Sequence, residues 1–313
     1  PAWAVQRALC NQKWHFDVEE EGADERAREQ HGGQYLVRGR LFSVKQLVEE
    51  VIEVICACLL EAIMPEGRLE IESGRQVEFV NFGVSVAECC GDAQRSLVLS
   101  AAQRVVQRRL SPATKVHVVT DTLASAMQVC SIAPFQKRSM LLVDFGASKL
   151  SVSLFVFEES PVDLAFSLRE VVSKTNVFVG GDEMEFRMLK WCEDRRPFPE
   201  SLLGSKSAVF KLRREVRSAI KTLTVAEEAM IDVDSLVAGK DLVVMLRLED
   251  FERECSDIFE SVGELVDEVV RAGEIGFPKD VVLVGGCTRV PRVQKVLHRV
   301  ATAAGASVRK PLD

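Results

Sequence analysis

No apolar run in the chain approaches the ~20 residues that a membrane-crossing helix needs. Nothing near Pro1 has the basic, apolar and small-residue sections of a secretory leader. The 9 cysteines include no C-x-x-C pair and no histidine-spaced zinc pattern. An odd set without a framework reads as free thiols in a reducing compartment, so cytoplasmic residence is expected. An excess of basic charge is missing too. The net charge of −7 argues against a general nucleic-acid binder. The basic clusters Arg104–Arg109 and Arg213–Arg217 read as solvated helix faces. What remains is a soluble globular composition, 47% hydrophobic and 28% charged, on 313 residues. That length can bury a large core and favours two lobes.

The stretch around which the chain is organised is Met140–Phe155, MLLVDFGASKLSVSLF. Met140 to Val143 is an apolar run, as in a strand covered on both faces. Asp144 stands at its end and a tight turn follows at Gly146-Ala147-Ser148. Leu150, Val152 and Leu154 then alternate with Ser151, Ser153 and Phe155, the period of a second strand. Small residues at a hairpin tip let phosphate approach backbone N–H groups, and an adjacent carboxylate can hold hydrated Mg²⁺. The same residues also fit an ordinary hairpin with an acid in its turn.

Around this hairpin the spacing predicts a helix after Ser43, strands at 69–71 and 77–86, a helix after Asp92, a strand at 115–119 and a helix at 122–130. Strand–helix–strand–helix order is the grammar of an α/β layer. After the hairpin, residues 162–172 predict a third antiparallel strand. Gly180-Gly181 precedes a helix starting near Asp182, and a glycine pair at a helix N-terminus favours anions. Residues 194–207 read as a linker. An amphipathic helix through Val209–Leu223, a hairpin of 230–233 with 241–246, and one long helix from Glu249 follow. Finally Val281–Val284, Gly285-Gly286-Cys287-Thr288-Arg289 and Pro291 read as buried strand, turn and helix start. That is a nucleotide-site geometry in open α/β sheets.

In order, VDFGASKLSVSLF, FVGGDEMEFRML, FKLRREVRSAIKTLT, LRLEDFERECSDIF and VVLVGGCTRVPRVQKVL strongly resemble the nucleotide-binding domain of the heat shock protein 70 family. Upstream, VSVAECCGDAQR and VVTDTLASAM fit in register. The resemblance runs from about Leu41 to Asp313. It implies α/β architecture of the actin-like ATPase type: ribonuclease H-like lobes around a deep cleft, an inserted α+β subdomain, and ATP or ADP with Mg²⁺ between the lobes. The implied layout is a first-lobe outer remnant at 1–40, a partial first-lobe core at 41–138, a second-lobe core at 139–173 and 256–313, and an inserted helix–hairpin–helix subdomain at 174–255. The family's first phosphate loop and catalytic Lys have no counterpart, and the pattern is expected to be incomplete at both ends.

The resemblance assigns Asp144 to the family's metal-proximal Asp, where it would hold Mg²⁺ weakly through water, and Gly146 to its first phosphate-loop glycine. Ala147 and Ser148 stand where the next two glycines would be, Lys149 in place of the catalytic Thr, and Ser151 in place of a second metal-proximal Asp. Asp121 replaces the cleft Glu, and Thr122 the following Pro. Asp121 and Asp144 are thus remnants of a catalytic set. On the adenosine side Gly180, Gly181, Gly285, Gly286 and Arg289 match, and Cys287 replaces a Ser. Arg217 and Ile220 replace ribose-contacting Glu and Lys, Lys221 an adenine-stacking Arg, and Thr224 a Ser. A β-carbon at 147 and 148 crowds a site where backbone approaches phosphate, and Lys does not stack as Arg does.

These departures imply a chaperone-type nucleotide-binding domain with weak ATP binding and lost hydrolysis. The implied partners are a J-domain co-chaperone and a nucleotide-exchange factor, with unfolded polypeptide bound only through a C-terminal domain that the chain lacks. No nucleic acid or membrane partner is expected. Two other readings share the sequence: a non-hydrolysing regulatory or scaffold partner of a J-domain protein, of the ribosome-associated type, and a truncated fragment without activity of its own.

Overall fold

The computed structural model describes residues 34–37, 40–43, 46, 49–55, 58, 81–109, 112–132, 139–159 and 166–309. The predicted strand at 69–71, most of residues 1–40 and the end of the chain lie outside them. The chain divides into two compact units, with the boundary between Ala124 and Ser125.

In the first unit β1 (Gln34–Val37) and β2 (Arg40–Ser43) form an antiparallel pair. Residues 49–55 are helical. β3 (Asn81–Val86) and β4 (Lys115–Thr120) run parallel, joined through α1 (Asp92–Arg109). A parallel pair needs such a crossover. α1 packs Ala102 and Val105 against Phe82, Val84, Val116 and Ile52. Asp92 in its first turn favours the positive end of the helix dipole.

α2 (Asp121–Ile132) carries the chain across the boundary. The second unit is built on a five-stranded mixed sheet, in the order β11-β10-β5-β6-β7. β5 (Ser139–Phe145), β6 (Leu150–Glu159) and β7 (Phe166–Asn176) form an antiparallel meander. β10 (Asp280–Val284) joins β5 in parallel, and β11 (Ser307–Arg309) joins β10 in parallel. Met140, Leu141, Leu142, Val143 and Phe145 are all fully buried, which is why β5 reads as a continuous apolar run. β7 runs past the predicted end at 172, because the cross-strand pairs extend to Leu150 with Asn176; residues 162–165 lie outside the described residues.

α6 (Ser256–Gly273) lies on β6 and β7 so closely that a β-carbon on Gly273 would stand 2.2 Å from Leu154 Cδ2. α7 (Pro291–Ala303) begins with Pro at its first position and buries Val293, Val296 and Leu297. Between β7 and α6 come α3 (Gly181–Asp194), α4 (Lys206–Thr222), the hairpin of β8 (Glu228–Val237) with β9 (Lys240–Arg247), and α5 (Leu248–Glu254). Ser205 caps α4 by accepting a hydrogen bond from Ala208 N–H, 3.4 Å. β8 alternates as far as Val233, with Ala229, Ile231 and Val233 inward, and its register shifts between Val233 and Val237.

The single long helix expected from Glu249 is instead two helices. They break at Cys255, whose backbone (φ −113°, ψ 15°) leaves the helical region. The break lets Phe251 and Phe259, both buried, meet edge to face at 5.9 Å between ring centres.

Candidate functional site

The site grows from the β5–β6 turn. Phe145 and Leu150 are a cross-strand pair, leaving Gly146 to Lys149 as the tip. Gly146 N–H donates to Lys149 C=O, 3.1 Å, and closes it. Three of the tip's four carbonyls, those of Gly146, Ala147 and Lys149, are already used. Gly146 C=O accepts from Gly181 N–H at 3.1 Å and from the Cys287 thiol at 3.2 Å. Ala147 C=O accepts from Asp182 N–H at 2.7 Å. The first donors of α3, read from sequence as an anion cradle, therefore bind this loop's carbonyls.

Two glycines permit that approach. A β-carbon on Gly180 would stand 2.5 Å from Ala147 C=O, which no side chain survives without a shift. Gly285 has φ +89° and a β-carbon there would stand 2.4 Å from Phe145 C=O and 2.9 Å from Asp144 Oδ1. The Asp144 carboxylate thus lies against the Gly285 backbone, between its strand neighbours Ser151 on β6 and Val284 on β10. After Gly285 the chain makes a short 3-10 turn, Gly286–Arg289, fixed by Thr288 Oγ1 donating to Gly285 C=O at 2.7 Å. Gly286 is open, with nothing within 4 Å of a β-carbon, and both it and Arg289 are exposed.

On the β6 side Lys149 Nζ donates to Ser151 Oγ at 3.1 Å, and Ser151 Oγ shares a hydrogen bond with Thr175 Oγ1 at 2.8 Å. Ser151 is fully buried. Directly paired residues share a sheet face, so Asp144 and the Ser151–Lys149 pair belong to one face. Cys287 is held as a neutral thiol. Burial pushes it up to about 11, Asp182 and Asp144 push the same way, and the Gly181 N–H opposes them.

Of Arg217, Lys221 and Thr224, expected on one helix, α4 carries Arg217 and Lys221, while Thr224 stands in the turn just after it. Arg217 is committed elsewhere: its Nε bonds Glu185 and its Nη2 stands 3.9 Å from Asp182 Oδ1. Arg213, one turn back, makes the same two contacts. Asp182 and Glu185 are buried, so each carboxylate depends on these guanidinium groups. This four-residue cluster was missed from sequence, although acids three apart on α3 and arginines four apart on α4 are its signal. Lys221 is exposed, and its carbonyl accepts from Thr224 Oγ1 at 2.7 Å. Asp121 lies in the other unit. Its Oδ1 accepts from Glu88 N–H at 3.2 Å and Thr122 N–H at 3.0 Å.

Among the described residues no three His, Cys, Asp or Glu side chains gather as a metal site, and no described helix is long and apolar enough to cross a membrane. At the hairpin the donor set is one carboxylate, Asp144, facing a hydroxyl that already holds an ammonium. That set does not fit a metal held by the protein. The open Gly286 backbone, exposed Arg289 and the Lys149 ammonium do fit an anionic ligand.

The mixed sheet, the three converging turns and the helix–hairpin–helix insertion are those of an actin-like ATPase fold. Residues 81–307 match the family model described as Hsp70 protein, and the chain belongs to that family. Its curated relatives include a heat shock 70 kDa protein of Trichophyton rubrum, 32% identical over 165 residues. Heat shock 70 kDa protein 2 of Paracoccidioides lutzii is 31% identical, and heat shock cognate 70 kDa protein 3 of Dictyostelium discoideum 26%, each over 165 residues. The matched part is 51% of this chain and 24–25% of those relatives.

Proposed function

We propose that the chain serves as an Hsp70-type nucleotide-binding domain that binds adenine nucleotide weakly and does not hydrolyse it. The observation that carries this reading is the Lys149–Ser151 hydrogen bond at the hairpin tip. Phosphoryl transfer needs a positioned metal, an oriented water and compensated phosphate charge. The family implies Thr and Asp at those two positions, and a lysine bonded to a serine supplies neither a metal ligand of carboxylate type nor a base. Ordinary family chemistry would bring ATP or ADP with Mg²⁺.

In this reading α3 to α5 with β8 and β9 are the inserted subdomain (174–255), flanked by second-lobe core at 139–173 and 256–313. Asp121 belongs to first-lobe core (41–138). Phosphates meet Gly146, Ala147, Ser148 and Lys149, and the nucleoside meets Gly285, Gly286, Cys287 and Arg289. Gly180 and Gly181 hold the tip in place, Lys221 on α4 and Thr224 just after it line the adenosine side, and Arg217 stays in its pair with Glu185. A J-domain co-chaperone and an exchange factor are the partners the family suggests. Client polypeptide would be handled by a separate domain. Free Cys192, Cys255 and Cys287 support a reducing, cytoplasmic setting.

The test is calorimetric titration of ATP beside a steady-state turnover assay. Turnover no faster than buffer is expected, with ATP binding that falls at least tenfold in Arg289→Ala. Mg²⁺-dependent hydrolysis abolished by Asp144→Ala would sink the loss of catalysis, and affinity unchanged in Arg289→Ala would sink the site. The rewritten tip also favours a second reading, a non-hydrolysing regulatory partner of a J-domain protein. There, J-domain binding would survive Lys149→Ala and Asp144→Ala alike, whereas a nucleotide-gated chaperone would lose or change it.

A further inference from the structure

We infer that the hairpin site takes adenine nucleotide free of divalent metal, with the Lys149 ammonium in the place a metal would fill. This rests on the nucleotide-binding reading above and specifies the charge state of its ligand.

Three observations converge. First, the pair of residues facing each other across β5 and β6 is Asp144 with Ser151, one carboxylate and one hydroxyl. Second, the hydroxyl is occupied: Lys149 Nζ lies 3.1 Å away, and Thr175 Oγ1 takes the other side at 2.8 Å. Third, the remaining nearby acids are not open to a cation. Asp182 and Glu185 are paired with Arg213 and Arg217, and Asp144 is packed against Gly285.

The geometry sets the Lys149 ammonium on the hydroxyl of Ser151, the residue paired with Asp144 across β5 and β6. A divalent ion at Asp144 would meet that ammonium as a like charge. A polyphosphate meets it as a counter-ion, and an ammonium is a point-charge phosphate binder that needs no planar geometry. Ser151 makes the arrangement durable. It is fully buried and bonded on both sides, so it holds Lys149 at the tip rather than leaving it to wander. The turn that follows the neighbouring strand β10 leaves the Gly286 backbone open and Arg289 exposed. Mg²⁺-nucleotide, by contrast, needs phosphate oxygens and carboxylate-held waters together, and only one carboxylate is offered.

The full chain would be titrated with ADP by calorimetry, once in excess EDTA and once in excess Mg²⁺, with thermal melting in parallel. Affinity in EDTA equal to or tighter than in Mg²⁺ is expected. Lys149→Met should weaken the EDTA binding tenfold or more, and Lys149→Arg should keep it. The double change Lys149→Thr with Ser151→Asp should invert the preference, so that Mg²⁺ tightens ADP binding. Wild-type binding that Mg²⁺ tightens tenfold or more would overturn the inference and leave the nucleotide reading standing. Unchanged EDTA affinity in Lys149→Met would do the same. No heat and no melting shift in either condition would overturn both.

Discussion

At the residue scale, the most consequential neighbour relation is Cys287 under the hairpin. Its thiol donates to Gly146 C=O and is shielded beside Asp182 and Asp144. Its titration is moved from an ordinary 9.0 to about 11. A group whose folded value is raised favours the protonated folded state. The stabilisation it gives is complete below the unfolded value and disappears as pH climbs through the folded one. Stability should therefore fall between about pH 9 and pH 11, by on the order of 2 kcal/mol from this thiol. Buried Cys192 and Cys255, each pushed up to about 12 by burial, extend the fall. Urea unfolding at pH 8 and pH 10 measures it. In Cys287→Ser the pH 8 to pH 10 difference should shrink; an unchanged difference would mean that this thiol does not titrate on unfolding. Cys287 was legible as a replacement for serine, but its role was not, because the carbonyl it bonds lies 141 residues earlier.

At the scale of elements, local pattern and packing agree where the periodicity is strong and part where a turn decides. The β8–β9 hairpin and the place of its turn were legible, but not the backbone of that turn, Ala238 at φ +52° and Gly239 at φ +74°. A two-residue hairpin turn with both central angles positive favours Asn or Gly at the first position, and alanine carries a steric cost there. Ala238→Gly or Ala238→Asn should stabilise the protein by ~0.5–1 kcal/mol, read from the denaturation midpoint. A lower midpoint in both variants would contradict the assigned turn. The α5–α6 break was not legible, because LEDFERECSDIF carries helical spacing throughout. Cys255 is fully buried between Phe251 and Phe259, and tertiary packing overrides the local preference. The glycine pair at 180–181 was legible as a special turn. Its partners were not, since only folding brings Ala147 C=O within reach.

At the scale of the molecule, the second unit has one large core. Its buried residues run from Leu141 to Ala301 and join one face of the sheet to α3, α4, the β8–β9 hairpin, α6 and α7. A fragment from Ser125 to Asp313 should thus unfold in one cooperative urea transition with native near-ultraviolet dichroism. A gradual, non-cooperative melt would mean that the first unit is needed to complete that core. The sequence by itself determined the order of elements, the family and the identities of the residues at the hairpin tip. Those follow from short-range spacing and from motifs only a few residues long. Tertiary structure alone decided what the tip residues touch. It gave the α3 N–H groups to the tip carbonyls, Lys149 to Ser151, and Arg217 to Glu185. Each of those bonds depends on where donors and acceptors meet after the sheet has formed, and most buried polar groups find such a partner. Composition and spacing list the groups. The competition among them for partners is settled only in three dimensions.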